Sequence, residues 1–446
     1  MNTLVKKMSM SPGMDIVIIT TGSPTHTAFW QTRMAGLPAI IVTEDWSGGA
    51  GNGLGSLYAI KRASEITNRN LVDELHHGKS IAIYHTAGAG KRQYPLAGTE
   101  HGNKSAIRLP GLIDINGTEH IITVLEAVIK QTSIYAPMRK GRLSVFWGDQ
   151  IFIPTAIPQE AEHHIDILGR MRPVPDSASW QACYGALAIN GSGEAVLTEK
   201  ADYRTFRALQ DEKILSCDGG FAVSLGSFSI SATMTELLMN AFSQELHAQQ
   251  GSLNSDRDFW MTLTLPEDAY ALLLGNDYNE KHYETMQAIK RQLSGPLFGV
   301  VDIGNDGYWW DYGTVSSYYC NNMKLVADGE EADTMRAFFN VRRDEKNRSV
   351  IIDSNIGIEM MKDSVAVRVN SKECRSNRSL LIEVNAPSIA AENAVAYRIA
   401  TESPLTLPVN AVHSGKLHSD LTRDGKKDWD IVIPGNPCSY AEIKEC

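Results

Sequence analysis

Apolar positions in the first third of the chain follow two alternating rhythms. "DIVIIT" (15–20), "AIIVT" (39–43) and "IAIYHT" (81–86) are short β-branched runs bounded by polar residues, the pattern of buried strands. "LSVFWGD" (143–149) reads as a further strand that ends in an acid. Between them, "GSLYAIKRASEI" (55–66) and "HIITVLEAVIKQTSIYA" (120–136) place apolar side chains at helical spacing. This alternation predicts an α/β fold with a doubly wound sheet, whose ligands sit at the carboxyl ends of the strands.

The rhythm changes near the C-terminus, where a fifteen-residue repeat emerges. "SVIIDSN" (349–355), "SVAVRVN" (364–370), "SLLIEVN" (379–385) and "AVAYRIA" (394–400) align end to end. Ser349, Ser364 and Ser379 share one register, and Asn355, Asn370 and Asn385 another. One such unit cannot bury its apolar face alone, so the spacing predicts stacked coils of a solenoid in preference to a four-strand meander. The Asn column suits a ladder of side-chain amides running from coil to coil.

The length of 446 residues exceeds one compact core and favours two domains. The composition, 43% hydrophobic and 21% charged, is that of a soluble globular protein. A net charge of −10 argues against a general nucleic-acid binder but leaves room for small phosphorylated ligands. No apolar run approaches the roughly 20 residues that span a bilayer, and the N-terminus carries no apolar signal region. A cytoplasmic location without membrane partners is therefore expected. The cysteines at 183, 217, 320, 374, 438 and 446 have no short paired spacing, which excludes familiar zinc patterns and favours reduced thiols. His163 and His164, being adjacent, point in different directions and read as a solvated loop.

Two glycine-rich stretches could carry chemistry. In "IAIYHTAGAGKRQYPLAGTEHGNKSAIRLPG" a strand runs into Gly88, Ala89 and Gly90, then Lys91, Arg92 and Lys104. Glycines let main-chain N–H groups approach phosphate oxygens, and the cations neutralise their charge. It is not a P-loop, since Arg92 follows Gly90-Lys91 where that motif requires Ser or Thr, and Asn103 separates Gly102 from Lys104. The earlier run, "GGAGNGLGS" (48–56), is either a second nucleotide-facing loop through Gly51 and Gly53 or a tight strand-to-helix turn.

The segment 87–104 resembles the signature loop of sugar-1-phosphate nucleotidyltransferases, G-G-x-G-T-R-L-x-P-L-T…K, with Ala87, Lys91 and Ala97 at departing positions. Four further landmarks follow in that family's order. "LSVFWGDQIFI" matches the strand whose "GD" ending supplies a metal-binding aspartate, here Asp149. "ACYGALAINGSGEAVLTEKADY" is similar to the segment that lines the sugar pocket. There the resemblance implies Gly185 in the pocket wall and Glu199 and Lys200 on sugar hydroxyls and phosphate, with Ala201 replacing a proline. "CDGGFAVSLGSF" places Asp218 at an asparagine-like substrate position. "GYWWDYGTVSSYYCNNMKLV" (307–326) puts Asp311 as the second metal aspartate. The module before the signature loop resembles GDP-fucose pyrophosphorylases, which place a comparable "GNGG" loop and helix there.

What the resemblance implies is a nucleotidyltransferase domain over 1–335, Rossmann-like with a mixed sheet, with its strand–loop–helix extension at 1–80. A parallel β-helix would follow over 336–446 and mediate homo-oligomerisation. The implied reaction joins an NTP to a sugar 1-phosphate and releases pyrophosphate, with GTP and fucose 1-phosphate or a related hexose 1-phosphate leading. Arg92, Lys104 and Asp149 would be catalytic, and Mg²⁺ or Mn²⁺ would lie between Asp149 and Asp311. The competing reading is a non-catalytic sugar-nucleotide-binding or regulatory homologue; a sugar kinase fits less well.

Overall fold

The computed structural model describes residues 4–10, 13–88, 90–180, 182, 184–305, 307–357, 359–417 and 429–433. Ala89, one of the nucleotide-binding candidates, lies outside the described residues. The fold is mixed α/β. Four adjacent strands of the main sheet, Ala39–Thr43, Ile16–Thr21, Ile81–His85 and Arg142–Trp147, are parallel. The long strand Gly220–Ser231 then runs antiparallel beside Arg142–Trp147 and begins the second half of a nine-stranded mixed sheet.

Ile16–Thr21, Ile81–His85 and Arg142–Trp147 are buried along nearly their whole length, which explains their apolar runs, whereas Ala39–Thr43 at the sheet edge is only partly buried. Val17, Ile19, Ala82, Tyr84 and Phe146 enter one apolar cluster, with helix Val124–Thr132. Ile16, Ile18, Ile81, Ile83, Leu143 and Val145 enter the other, with helix Gly51–Thr67. Alternate side chains thus serve opposite layers, as the period of two in a strand requires.

Two elements depart from the sequence reading. The helix expected over 120–136 begins at Val124, because Thr118–Thr123 pairs as a strand with Arg108–Ile115. Thr123 and Glu126 form a reciprocal capping box that starts the helix. The helix expected from Gly55 begins four residues earlier, at Gly51. The carbonyl of Leu253 there receives the Gly53 amide at 2.8 Å and that of Leu54 at 3.3 Å, satisfying donors a helix start leaves open.

The repeat folds into parallel strands stepped by fifteen residues. Val350, Val365, Leu380 and Val395 occupy one register position, and a second parallel sheet runs through Glu373–Asn377 and Ser388–Glu392. Each serine of the repeated column accepts the amide one coil on: Ser349 from Ser364 at 3.1 Å, Ser364 from Ser379 at 3.1 Å. Asn355 donates to Asn370 at 3.1 Å and Asn370 to Asn385 at 3.0 Å, forming the expected amide ladder. Left-handed corners turn the chain at Asp353, Arg368, Glu383 and Arg398, with φ of 44°, 51°, 52° and 53°.

One face of this stack, including Val365, Leu380, Val395 and Tyr397, packs into the first apolar cluster of the sheet. Helix Glu330–Phe339 spans the expected boundary at 335 and contributes Met335 and Phe338 to the same cluster. Among the cysteines, Cys217 and Cys374 are free thiols, whereas Cys320 is disulfide-bonded, which departs from the expectation of reduced thiols throughout.

Candidate functional site

The candidate site forms where the parallel strands end. Ile81–His85 delivers the chain into Gly88, Gly90 and Lys104, and Arg142–Trp147 delivers it into Gly148 and Asp149. Gly148 has no room for a side chain, since a Cβ would fall 2.6 Å from the His85 carbonyl. That close approach seats Asp149 directly above the end of the neighbouring strand. A short ribbon then crosses over: Tyr308–Asp311 pairs antiparallel with Gln150–Ile153, with Asp311 opposite Gln150. Two aspartates 162 positions apart in sequence are thereby set side by side.

Lys104 ion-pairs with Asp149, and both side chains are mostly shielded. Asp311 accepts the Gly313 amide through Oδ1 at 2.7 Å. A Cβ on Gly313 would lie 2.9 Å from Asp311 Oδ1 and 3.6 Å from Arg92 Nη2, so Asp311 and Arg92 converge on this glycine. Burial raises the Asp311 carboxyl above its ordinary range; the negative charge of Asp149 adds to this, while Arg92 and Lys104 oppose it. Gln93, a buried residue on the segment leading to Lys104, donates its side-chain amide to the Tyr312 carbonyl and ties that segment to the ribbon.

Beside this cluster opens a charged cleft of about 710 Å³. Lys104, Asp149, Gln150, Glu199, Lys200 and Asp256 are among the residues that line it. Glu199 ends the strand Ala195–Glu199, pairs with Lys200 at 3.1 Å and lies opposite Gly185 on the adjacent strand. A Cβ at Gly185 would come within 2.9 Å of Glu199 Oε2. Gly185 also borders a second cavity, about 710 Å³, walled by Trp180, Tyr184, Phe221 and Trp309 with Arg170 and Arg172 at its rim. Gly185 and Glu199, opposite one another in the sheet, thus border the aromatic cavity and the charged cleft respectively.

Of the residues singled out in the sequence, Arg92, Lys104, Asp149 and Asp311 come together, and Glu199 and Lys200 share the cleft with Lys104 and Asp149. Gly88 and Gly90 flank Lys104: Cβ atoms there would lie 3.8 Å from its Cε and 3.1 Å from its Cβ. Lys91 is exposed on the same loop. Three residues stand apart. Gly51 and Gly53 lie in the first turn of the helix Gly51–Thr67 and pack against the Leu253 main chain, 2.5 and 2.9 Å from its oxygen for an added Cβ. Asp218 is exposed, accepts Ser216 Oγ at 2.8 Å and lines neither cavity.

Three contributors escaped the sequence reading. Asp256 sits in "NSDRD", which has the composition of a solvated loop, and Gln93 is a polar residue inside a basic run. Asn52 of the early glycine run lines the cleft and accepts the Ser255 amide at 2.8 Å. No alternation or motif marks these positions.

Among the described residues no group of three or more His, Cys, Asp or Glu side chains gathers as a metal cluster. Two carboxylates suit Mg²⁺, which keeps several waters and takes the rest of its shell from substrate phosphates. Burial chiefly, and Asp149 in addition, raise Asp311, and a divalent cation between the two carboxylates would oppose both. No protein-family model matches this chain, and no curated protein matches it.

Proposed function

We propose that this chain is a sugar-1-phosphate nucleotidyltransferase that uses Mg²⁺ or Mn²⁺ and releases pyrophosphate. The observation that carries the reading is the convergence of Arg92, Lys104, Asp149 and Asp311 at the carboxyl ends of parallel strands. The reaction brings one phosphate anion against another, so the site must screen repulsion and align the attack. Lys104 and Arg92 bind phosphate oxygens, and Glu199 with Lys200 orients the acceptor beside them. A divalent ion held by Asp149 and Asp311 would supply charge neutralisation at the phosphoryl oxygens.

The same reading takes the sheet as a Rossmann-like doubly wound domain and the fifteen-residue stack as a parallel β-helix that joins protomers. GTP with fucose 1-phosphate or a related hexose 1-phosphate is the leading pair. A cytoplasmic protein would suit this substrate class.

Purified protein with Mg²⁺ is expected to release pyrophosphate from one NTP only when a sugar 1-phosphate is present. Screening the four NTPs against a panel of sugar 1-phosphates tests this directly. One observation favours a second reading, a non-catalytic sugar-nucleotide binder: Lys104 is paired to Asp149, a carboxylate the first reading assigns to metal. Tight binding of an NDP-sugar without turnover of any pair would select that alternative.

A further inference from the structure

The charged cleft contains a carboxyl group with no part in phosphate chemistry. Asp256 lies on the π-helical turn Ser255–Trp260, a conformation that departs from the ordinary helix and recurs at functional sites. The turn is firmly held. Asp258 accepts the Asn254 amide at 2.6 Å and pairs with Arg257 at 2.9 Å, and Arg257 reaches Asp277 at 3.5 Å. Those charges are matched to one another, but Asp256 is not: its Oδ1 is shielded from solvent and has no hydrogen-bond partner.

Burial first, and then the charge of Glu199, push the Asp256 carboxyl up to about 8, with Lys200 acting in the opposite sense. The charged groups around the cleft are Glu199 and Lys200 from the strand end, Arg257, Asp258 and Asp277 beside the turn, and Lys104 and Asp149 on the sheet side. The raised Asp256 carboxyl keeps its proton at neutral pH and so offers an O–H donor to the space that Glu199 also lines. The terminal oxygens of a phosphate monoester dianion only accept, so such a group uses the Asp256 donor but offers nothing to Glu199. A hydroxyl both donates and accepts, and a carbohydrate offers several on adjacent carbons.

We propose that Asp256 is a specificity residue for the acceptor, donating to one hydroxyl of a polyhydroxylated ligand while Glu199 accepts from a neighbouring hydroxyl. The identification of that ligand as a sugar phosphate rests on the nucleotidyltransferase reading; recognition of vicinal hydroxyls does not.

The test titrates the full-length protein, Asp256→Asn and Asp256→Ala with α-D-glucose 1-phosphate, α-D-mannose 1-phosphate, β-L-fucose 1-phosphate and inorganic phosphate. Calorimetry at pH 6.5 and pH 9 gives affinities, and pyrophosphate release is assayed separately. At least one sugar phosphate should bind more tightly than inorganic phosphate. Asp256→Ala should weaken it by about tenfold, the loss of one buried hydrogen bond, while Asp256→Asn, which keeps a neutral donor, stays within about threefold. The wild type should weaken as pH rises through the Asp256 titration, and Asp256→Asn should not.

Equal affinity for inorganic phosphate and all three sugar phosphates would overturn the inference, as would a sugar phosphate bound equally well by wild type and Asp256→Ala. If Asp256→Ala does not fold, the contrast in pH profile between wild type and Asp256→Asn decides. Turnover that ignores Asp256 leaves the nucleotidyltransferase reading standing and removes this one. Asp256-dependent binding without pyrophosphate release does the reverse.

Discussion

The main-chain amide of Tyr312 donates to the carbonyl of Asp149 at 3.0 Å, locking the end of one ribbon strand onto the start of the other. Because Asp311 directly precedes Tyr312, that single bond fixes the spacing of the two acids, and it involves neither side chain. Replacing a carboxylate by its amide should therefore leave the ribbon intact.

Asp149→Asn and Asp311→Asn are each expected to lower metal-dependent pyrophosphate release by about 10²-fold or more, the scale of losing a charged stabilising group. Their stabilities should diverge from that trend. Asp311 is raised in the fold, chiefly by burial and further by Asp149, so its contribution is present at low pH and is lost as pH rises through its folded value. Asp311→Asn removes this penalty and should melt no lower than wild type at pH 8. A variant with near-normal turnover would remove that aspartate from the metal assignment.

Gly53 serves packing. A Cβ there would meet Leu253 O and Phe259 Cε2, each at 2.9 Å. Gly53→Ala should cost about 1–3 kcal/mol in urea unfolding, the usual scale of overpacking. Gly191→Ala, at a glycine with open space around it and an ordinary φ, should stay within about 0.5 kcal/mol. Equal midpoints for the two variants would return the "GNGLGS" turn to consideration as a ligand loop.

The strands of the sheet were legible because full burial on two faces leaves an unbroken apolar run, as in Ile16–Thr21 and Ile81–His85. The fifteen-residue step was legible because serine and asparagine columns repeat their bonds coil after coil. Its corners were not, since Asp353, Arg368, Glu383 and Arg398 adopt a left-handed conformation that their residue types do not announce. Arg92, Lys104, Asp149 and Asp311 could be picked out by local motif, yet their proximity depends on a ribbon joining positions near 150 and 310. Asp256 and Gln93 stayed hidden because their roles come from burial, which a polar run does not reveal.

His85 offers a pH test of the core beneath the site. Its Nε2 lies 2.8 Å from Ser56 Oγ and its Nδ1 3.1 Å from Thr20 Oγ1, with Trp147 packed alongside. Burial, and secondarily the charge of Lys104, push it down to about 4. A histidine depressed in the fold contributes stability above its unfolded value near 6.5, lost as pH falls through that value towards the folded one. The loss should be on the order of 3 kcal/mol between pH 7 and pH 4. The urea midpoint of the wild type should fall over this range, and that of His85→Gln should fall less. Identical slopes would place the acid sensitivity elsewhere.

The segment carrying Lys104 is also anchored by residues far along the chain. Glu100, four residues before Lys104, accepts Tyr397 Oη at 2.6 Å and pairs with Arg398 at 2.9 Å; Arg398 also reaches Glu383 at 3.1 Å, and Glu383 pairs with Arg108 at 2.7 Å. These groups are largely shielded, so removing one partner strands a charge in low dielectric. Arg398→Met should cost about 3–5 kcal/mol, and the charge-neutral double variant Glu100→Gln with Arg398→Met should recover part of that loss. Tyr397→Phe, which deletes one hydrogen bond to a charged group, should cost about 1.5–3 kcal/mol. Because the anchor lies so close to Lys104, Arg398→Met should also raise KM for the NTP under conditions where the variant is still folded. Additive losses in the double variant would mean that Glu100 and Arg398 act independently. A destabilised variant with unchanged KM would show that the stack supports the fold without setting the position of Lys104.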